Sequence, residues 1–332
     1  MSKVLVTGGA GYVGSRLILK LFAEGHKVTV YDLCIFGDGY LTRDENHPLI
    51  QADIRDINTF EAACYGQDAV IHLACISNDT SCQLDEKLST SINYDAFEPL
   101  VIAAKKQGVK RFIYCSSSSV YGVSNAPEVT EDHPLVPLTL YNKYKGLCEP
   151  LLLKHQSADF TTVIIRPATV CGYAPRMRFD LTVNIMTNHA AKLGKITVFG
   201  GQQKRPNLHI DDMCDVYKLL LVAPAHKIAG QTFNVGYANM KVIEIAELVS
   251  RVVSMAYRSD ICIPIEVQEH TDNRSYHINS DKIKRELGYE PRRTVEQAVL
   301  EICNRFQDGY CKDSLTNPIY LNVGQYLENS VV

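Results

Sequence analysis

The sequence contains no tryptophan, and none of its 11 cysteines forms a Cys-x-x-Cys pair. A zinc knuckle or a redox dithiol needs closely spaced cysteines, so neither kind of site is expected, and we predict no metal. An odd number of scattered cysteines, from Cys34 to Cys311, is typical of core thiols in a reducing compartment. The cysteine pattern therefore predicts a cytoplasmic protein.

The sequence also lacks an excess of charge of one sign, because 34 Lys and Arg face 37 Asp and Glu, a net charge of −3. Proteins that coat nucleic acid or anionic membranes carry a strongly basic surface, so we expect neither partner. No run of about 18 apolar residues predicts a membrane span. The start, Met-Ser-Lys, enters a strand at once and leaves no room for a signal peptide.

The length of 332 residues suggests about two units, and no Ser/Gly linker separates them. Strands and helices alternate over residues 1–170, which predicts right-handed crossovers and a parallel sheet. The predicted fold class is α/β, a Rossmann-type doubly wound parallel sheet with a smaller C-terminal α/β lobe at 171–332. In this lobe the apolar spacing predicts helices at 181–193, 211–222, 242–256 and 294–308, the second capped by Asp211 or Asp212. Residues 311–332 show no clear pattern.

A glycine-rich turn follows the first predicted strand and opens the first predicted helix. Gly9, Gly11 and Gly14 fit G-x-G-x-x-G, and Gly8, Gly11 and Gly14 fit the wider G-x-x-G-x-x-G. Such glycines allow a tight turn and a close approach of the backbone to a pyrophosphate, which the positive end of the helix attracts. Because the motif lies between a strand and a helix, it predicts a dinucleotide site.

Acidic residues follow the next two strands. Asp32 lies 18 residues after Gly14, where a carboxylate binds the adenosine ribose hydroxyls and repels a 2′-phosphate. This position favours NAD over NADP, although a turn or cap aspartate is the structural alternative. Asp53 follows the third strand region and could bind the adenine amino group, or could simply stabilise a turn.

Tyr141 and Lys145 lie four residues apart and therefore share one face of a predicted helix. Tyr237 and Lys241 have the same spacing, but only the first pair follows a serine-rich strand end in the Rossmann half, where a parallel sheet carries its active site. A nearby ammonium group favours the phenolate form of a tyrosine whose ordinary pKa is about 10. The pair therefore predicts a tyrosine base assisted by a lysine.

Four serines, Ser116 to Ser119, stand at the end of the fifth predicted strand of the Rossmann half. One of them could hydrogen-bond the substrate hydroxyl that Tyr141 deprotonates. A turn or capping cluster is the alternative interpretation.

Taken together, these motifs resemble the extended short-chain dehydrogenases/reductases, specifically the NAD-dependent nucleotide-sugar epimerase/dehydratase family. The resemblance runs over almost the whole chain and includes His72-Leu73-Ala74, Ser-Ser-Ser-Val-Tyr-Gly, Arg166-Pro167 and Arg205-Pro-Asn-Leu-His-Ile-Asp-Asp. It implies that Ser117, Tyr141 and Lys145 are catalytic. It also implies a cofactor site for NAD at Gly8, Gly11, Tyr12, Val13, Gly14, Asp32, Asp53, Ile54, Leu73, Ala74, Asn93, Tyr141, Lys145, Pro167, Thr169 and Val170.

On the substrate side the resemblance implies that Arg205 binds the diphosphate of a nucleotide sugar. Two more arginines lie in the run Pro-Arg176-Met-Arg178-Phe-Asp-Leu, which is similar to enzymes that act on GDP-heptoses, including a 4-dehydrogenase. Arginine suits a diphosphate because it forms bidentate bonds. The full set of predicted substrate contacts is Ser77, Ser118, Arg176, Arg178, Asn184, Arg205 and Arg274.

One departure from the family pattern is informative. Dehydratases of the family carry Asp-Glu where this chain has Ser118 and Ser119, and serine cannot act as acid or base near neutrality. The sequence therefore predicts NAD-dependent oxidation at C4 of a nucleotide-activated sugar, by a 4-epimerase or a 4-dehydrogenase and not a 4,6-dehydratase. A nucleotide-4-keto-sugar reductase is the alternative, and a non-catalytic dinucleotide sensor is a distant one. Family members often form homodimers through paired helices, which is also expected here.

Overall fold

The computed structural model describes residues 1–41, 47–257, 262–269 and 275–328. The strands of this part of the chain are β1 (Lys3–Thr7), β2 (Lys27–Asp32), β3 (Leu49–Gln51), β4 (Ala69–His72), β5 (Arg111–Cys115), β6 (Thr161–Pro167), β7 (Thr169–Cys171), β8 (Ile196–Phe199), β9 (Lys204–His209), β10 (Gln231–Val235), β11 (Ala238–Lys241) and β12 (Ile265–Gln268). The helices are α1 (Tyr12–Ala23), α2 (Ile57–Cys64), α3 (Asp79–Leu84), α4 (Glu86–Thr90), α5 (Phe97–Lys106), α6 (Leu140–Leu153), α7 (Thr182–Leu193), α8 (Ile210–Val222), α9 (Ala225–Ile228), α10 (Val242–Ala256), α11 (Asp281–Leu287), α12 (Val295–Gln307) and α13 (Asn322–Glu328). A π-helical turn at Ser91–Asp95 and 3-10 turns at Ser118–Tyr121 and Pro318–Tyr320 complete the set.

Seven strands form one parallel sheet in the order β10-β6-β5-β4-β1-β2-β3. The predicted doubly wound α/β fold is confirmed. The central strands are apolar and buried on both faces, as strands covered by helices on each side must be; β6 is buried at all of its residues. The strand order reverses between β1 and β4, where Thr7 pairs with His72. Parallel sheets bind their ligands beside the carboxyl ends of strands at such a reversal.

The second half of the chain forms a three-stranded sheet, β11-β9-β7, and a two-stranded sheet, β12-β8. An apolar core joins them to α7, α10 and α12. This half also returns to the large sheet, since β10 pairs with β6. The two lobes are therefore interleaved around the predicted boundary at residue 170.

Packing between α1 and α8 joins the two lobes, and an ion pair reinforces it, with Arg16 Nε 2.7 Å from Asp211 Oδ1. The predicted cap of this helix is wrong: His209 is the N-terminal cap of α8. Asp211 and Asp212 lie in the first turn of α8 instead. Each carboxylate forms an ion pair with an arginine from elsewhere in the chain, Asp211 with Arg16 and Asp212 with Arg293, the latter at 2.6 Å.

The tail that showed no sequence pattern contains regular structure in its described residues. It forms the turn Pro318–Tyr320 and helix α13, and it packs on the rest of the molecule through Tyr320 and Phe179, whose ring centroids are 5.5 Å apart. None of the helices in the described ranges combines the length and hydropathy that crossing a membrane needs.

Candidate active site

A cavity of about 610 Å³ opens beside the carboxyl ends of β1, β4, β5 and β6, at the reversal of strand order. Its size falls in the usual range for small-molecule sites, about 300–1,000 Å³. The Rossmann half forms one side, and residues 176–182, Arg205, Tyr276 and helix α13 form the other. The cavity thus lies between the lobes, where the sequence predicted the meeting of cofactor and substrate.

The glycine turn forms one end of the cavity. Gly8 has a φ of +71°, and a Cβ there would come within 2.7 Å of Ala74 N, on the loop after β4. A Cβ on Gly14 would collide with the carbonyl oxygen of Gly8. Gly11 caps α1 without a side-chain hydrogen bond, so no side chain satisfies the first N–H groups of the helix. The N–H groups at the start of α1 can therefore bind an anion, and binding of the cofactor there stays a prediction.

Asp32 lies at the end of β2 and borders the same end of the cavity. Its Oδ2 accepts a hydrogen bond from Ala10 N at 2.9 Å and its Oδ1 accepts one from Cys34 N at 2.8 Å. Burial raises the pKa of Asp32, while these two backbone donors and the charge of Arg176 oppose the rise. The carboxylate is therefore held in a fixed orientation beside the glycine turn.

Asp53 borders the cavity too, but its carboxylate already pairs with Arg55, 2.6 Å from Nη2. The hydrogen bond from Arg55 lowers the pKa of Asp53. Contact with an adenine amino group stays a prediction for this residue, which must share its oxygens with the arginine.

Most of the other predicted cofactor residues also border the cavity: Tyr12, Val13, Ile54, Leu73, Ala74, Pro167, Thr169 and Val170. Asn93 does not border it. Its side-chain amide instead bonds the backbone of Ile76, accepting from the N–H at 2.8 Å and donating to the carbonyl at 2.9 Å. Asn93 therefore fixes the loop after β4, which carries Ser77 into the cavity wall.

Helix α6 carries both members of the predicted catalytic pair into the cavity. Lys145 Nζ donates to the carbonyl oxygen of Cys115, at the end of β5, at 2.7 Å and lies 5.8 Å from the Tyr141 ring centroid. The side chain of Lys145 is buried, so its ammonium group is held between the strand end and the tyrosine. The other Tyr/Lys pair is not helical: Tyr237 precedes β11 and does not border this cavity.

The electrostatics of Tyr141 match the prediction only in part. Burial raises the pKa of Tyr141, and the charge of Lys145 lowers it, with the net direction upward. The lysine therefore acts in the expected direction, but desolvation of the phenolate outweighs it because the ring is enclosed by protein.

The serines at the end of β5 divide into two sets. Ser117, Ser118 and Ser119 border the cavity, and Ser117 Oγ lies 2.7 Å from Ser119 Oγ. Ser119 in turn donates to Asn142 Oδ1 on α6, the helix that carries Tyr141. This chain of hydrogen bonds fixes Ser117 relative to Tyr141.

Ser116 also borders the cavity, but its hydroxyl group bonds a buried ion pair and not another serine. Its hydroxyl donates to Glu149 Oε1 at 2.5 Å, and Glu149 pairs with Arg166 at 2.6 Å. Both charged side chains are buried, so each is satisfied by the other. The pair connects α6 to β6 close to the predicted catalytic residues.

The predicted substrate arginines occupy different surroundings. Arg178 pairs with Asp180 at 2.7 Å and donates to Ser77 Oγ at 3.2 Å. Arg205 lies with its guanidinium carbon 5.1 Å from the Tyr276 ring centroid, on the wall that the second lobe provides. Arg176 also borders the cavity, but it stacks on Phe36 of the loop after β2.

One other predicted substrate contact, Asn184, does not border the cavity. Asn184 is fully buried, and its three hydrogen bonds all go to protein groups: from Gly172 N, to Tyr12 Oη and to the carbonyl oxygen of Arg178. It therefore supports Tyr12 and Arg178 from behind. Arg274 lies outside the described residues.

Among the cavity residues that sequence reasoning did not assign are Phe36, Tyr276, Asn322 and Tyr326. Asn322 and Tyr326 are four residues apart and so share a face of α13, a spacing that could have been noticed in the tail. Phe36 carries no local motif, and Tyr276 was noticed only beside Arg274.

The residues present fit a dinucleotide at this site. The glycine turn packs too closely on itself and on the loop after β4 to accept a Cβ, α1 presents N–H groups without a side-chain cap, and Arg176 Nε is buried with no hydrogen-bond partner. Together with Asp32 and the Tyr141/Lys145 pair, these features define an NAD-dependent enzyme of the Rossmann class.

Comparison with known proteins agrees. Residues 4–236 match the NAD dependent epimerase/dehydratase family, and the chain belongs to that family. A UDP-glucose 4-epimerase of Lactobacillus helveticus is 27% identical over 314 residues, which cover 87% of this chain and 92% of that protein. A dTDP-glucose 4,6-dehydratase of Streptomyces niveus is 24% identical over 320 residues, covering 92% and 93%.

Solved structures show the same fold. The dTDP-glucose 4,6-dehydratase DesIV of Streptomyces venezuelae, whose crystals contain NAD, superposes with a TM-score of 0.81 at 22% identity, over 96% of this chain and 99% of that one. Epimerases and dehydratases are thus both among the relatives, so the particular reaction must be argued from the site.

Proposed function

We propose that this protein oxidises C4 of a nucleotide-activated sugar with NAD, as a 4-epimerase or a 4-dehydrogenase. The observation that carries the proposal is the convergence of Tyr141, Lys145 and Ser117 in one cavity with Arg178 and Arg205 of the second lobe. Tyr141, Lys145 and Ser117 suit the removal of a proton from a hydroxyl group, and the guanidinium group of Arg205 suits a diphosphate.

Tyr141 is the base in this proposal. Its phenolate accepts the O4 proton, and the ammonium group of Lys145 stabilises the phenolate. Ser117 hydrogen-bonds the same O4 and is held in place by Ser119 and Asn142. NAD, when bound, supplies the hydride acceptor and a positively charged ring that also favours the phenolate.

The second lobe binds the nucleotide diphosphate of the substrate. Arg205 is stacked on Tyr276, which orients its planar guanidinium group toward the cavity wall. Arg178 is buried, near Tyr141, and its charge is balanced by Asp180. We assign Arg205 to the diphosphate and Arg178 to the sugar beside Tyr141.

Elimination of water is not part of the proposed reaction. Ser118 and Ser119 border the cavity at the positions where the family's dehydratases carry an acid and a base. Ser119 is engaged with Ser117 and Asn142, and no carboxylic acid replaces it in the serine turn at 116–119. Oxidation at C4 needs neither acid.

The decisive experiment follows UDP-, GDP-, CDP- and dTDP-sugars by proton NMR in the presence of NAD-loaded protein, with GDP-heptoses in the panel. A C4 epimer formed over many turnovers without net NADH identifies an epimerase. A 4-keto product matched by NADH identifies a dehydrogenase. Loss of water from the sugar, seen by mass spectrometry, would contradict the proposal.

A reductase shares the same groups, because Tyr141 then donates its proton to a keto oxygen as hydride arrives. The protein is a reductase if it converts an added 4-keto-sugar with consumption of NADH and is inactive toward every nucleotide sugar of the panel that carries a C4 hydroxyl group. That result would replace oxidation with reduction as the proposed direction. The Tyr141→Phe variant is the control throughout, and its full activity would overturn any catalytic role for the site.

A further inference from the structure

Arg176 is a buried cation that has no ion-pair partner among the described residues. Only 3% of its surface is exposed, and no described carboxylate lies within ion-pair distance of it. Its Nη2 donates to the neutral amide oxygen of Asn322 at 2.6 Å, and its Nε has no hydrogen-bond partner. Burial and the charge of Arg178 lower the pKa of Arg176 to about 10. A buried cation in this state is stabilised by an anion that is not part of the protein.

The location of Arg176 indicates which anion. Its guanidinium carbon is 3.7 Å from the Phe36 ring centroid, and its backbone N–H donates to Ser15 Oγ in the first turn of α1. Its positive charge opposes the rise that burial causes in the pKa of Asp32 and of Tyr40, at the adenosine end of the cavity. Arg178 lies instead close enough to Tyr141 for their charges to interact. The two arginines of the Pro-Arg-Met-Arg run therefore serve opposite ends of the cavity.

We propose that Arg176 binds the diphosphate of NAD opposite the N-terminus of α1, and that Asn322 of α13 positions it there. This inference rests on the proposed function only for the identity of the cofactor, not for the sugar. It changes the role predicted from sequence, in which Arg176 contacted the substrate.

The helix that carries Asn322 also joins two loops that border the cavity. Asn322 Nδ2 donates to Ser77 Oγ at 2.7 Å, on the loop after β4. Gln325 Nε2 donates to the carbonyl oxygen of Ile35 at 2.9 Å, and the Tyr326 ring lies 5.9 Å from that of Phe36, both on the loop after β2. Because α13 joins these loops, its contacts oppose a widening of the cavity on this side. We expect slow NAD exchange, which suits an epimerase, since its cofactor is reduced and reoxidised in place.

The test measures binding of two ligands separately by calorimetry: NAD to protein freed of cofactor, and UDP or GDP to protein saturated with NAD. Loss of a charge-assisted hydrogen bond to a diphosphate corresponds to about tenfold to a hundredfold in affinity. We expect Arg176→Met to weaken NAD binding by that factor and to change nucleoside diphosphate binding less than twofold. Arg176→Lys keeps the charge and should recover part of the NAD affinity.

Arg205→Met is the matched control, because it removes a second arginine from the same cavity. It should show the reverse pattern: weaker nucleoside diphosphate binding with NAD affinity unchanged. If Arg176→Met instead weakens the nucleoside diphosphate and spares NAD, Arg176 belongs to the substrate site and the proposal is wrong. Unchanged affinity for both ligands would also overturn it. Thermal unfolding of each variant, and the rescue by lysine, separate misfolding from lost binding.

Asn322 is tested by the rate at which bound NAD exchanges with labelled NAD. Asn322→Asp is nearly isosteric, but it places a carboxylate beside Arg176 that competes with the diphosphate, so we expect at least tenfold faster exchange. Asn322→Ala leaves Arg176 charged and should have a smaller effect. Equal effects of the two variants would show that Asn322 contributes only to packing. Because sugars are absent from these measurements, an error in the proposed substrate would leave their outcome unchanged.

Discussion

The two walls of the cavity place different groups against a ligand. The Rossmann wall, formed by residues 8–14, 73–77 and 116–119, offers mainly backbone N–H groups, small side chains and hydroxyls. The C-terminal wall, formed by residues 176–182, Arg205, Tyr276 and α13, offers guanidinium groups and aromatic rings. The first wall can bind a ligand through backbone N–H groups and hydroxyl groups at close range, and the second can bind it through charge. The predictions below test this division, beginning with the largest expected effect.

Removal of the Tyr141 hydroxyl tests the chemistry of the Rossmann wall. We expect Tyr141→Phe to lower kcat about a thousandfold, because a positioned acid–base group contributes roughly 10²–10⁴. NAD content should stay at the wild-type level, since the glycine turn and Lys145 remain. Since burial raises the pKa of Tyr141, wild-type kcat/KM for oxidation should rise with pH toward the alkaline range, and the variant should lose that rise.

Substitution of Gly8 tests whether the Rossmann wall depends on the close approach of the glycine turn to the loop after β4. Gly8→Ala introduces a Cβ within 2.7 Å of Ala74 N at a φ of +71°. We expect NAD affinity, measured by calorimetry, to fall about tenfold to a hundredfold, since strain and displacement of the loop cost about 1–3 kcal/mol. Gly66→Ala is the matched control: its φ is +70°, but nothing lies within 4 Å of the new Cβ. Equal NAD affinities in the two variants would contradict the close-approach argument.

The ion pair of Asp211 with Arg16 tests how firmly the two walls are joined. Burial raises the pKa of Asp211, but the hydrogen bond and charge of Arg16 outweigh burial and lower it to about 2. Against an unfolded pKa of about 3.9, this difference contributes about 2 kcal/mol to the free energy of unfolding above pH 4. Asp211→Asn should lose that amount at pH 7.

The sign of the pH effect follows from the lowered pKa. As the pH falls from 4 toward 2, the wild-type carboxylate takes up a proton and the contribution disappears. Urea unfolding of wild type and Asp211→Asn should therefore converge over that range. A difference that persists unchanged at pH 2 would exclude the ion pair as its source.

Arg205→Met tests the C-terminal wall and has the smallest expected effect on the fold. We expect KM for the nucleotide sugar to rise about tenfold with little change in kcat, because a diphosphate contact remote from C4 is made equally before and during the reaction. Steady-state kinetics on the substrate found by NMR measure both constants. A fall in kcat at unchanged KM would place Arg205 beside the reacting carbon instead.

The Rossmann wall could be predicted because its function depends on local sequence. Gly8, Gly14 and Asp32 lie on one strand–turn–helix–strand unit, and Tyr141 and Lys145 share one helical face. In each case, the spacing along the chain determines the distance in space. The parallel sheet then brings the strand ends to one edge without further information, which is why the fold class was also correct.

The C-terminal wall could be predicted only by resemblance, and in part not at all. Arg176 and Arg178 are two residues apart, yet the structure directs one toward Phe36 and the other toward Asp180. The surroundings of Arg176 come from Phe36 and Asn322, which are nearly 300 residues apart in sequence. No periodicity links such residues.

By itself, then, the sequence determined the α/β sheet, the dinucleotide turn and the tyrosine–lysine pair, since hydrogen bonding and side-chain periodicity act over a few residues. Only the tertiary structure decided the arrangement of the arginines and the contacts of α13 with the loops that border the cavity. These features depend on burial, which raises the free energy of an unpaired charge and so makes the position of Asn322 or Asp180 decisive. Burial is a property of the packed chain and of no short segment within it.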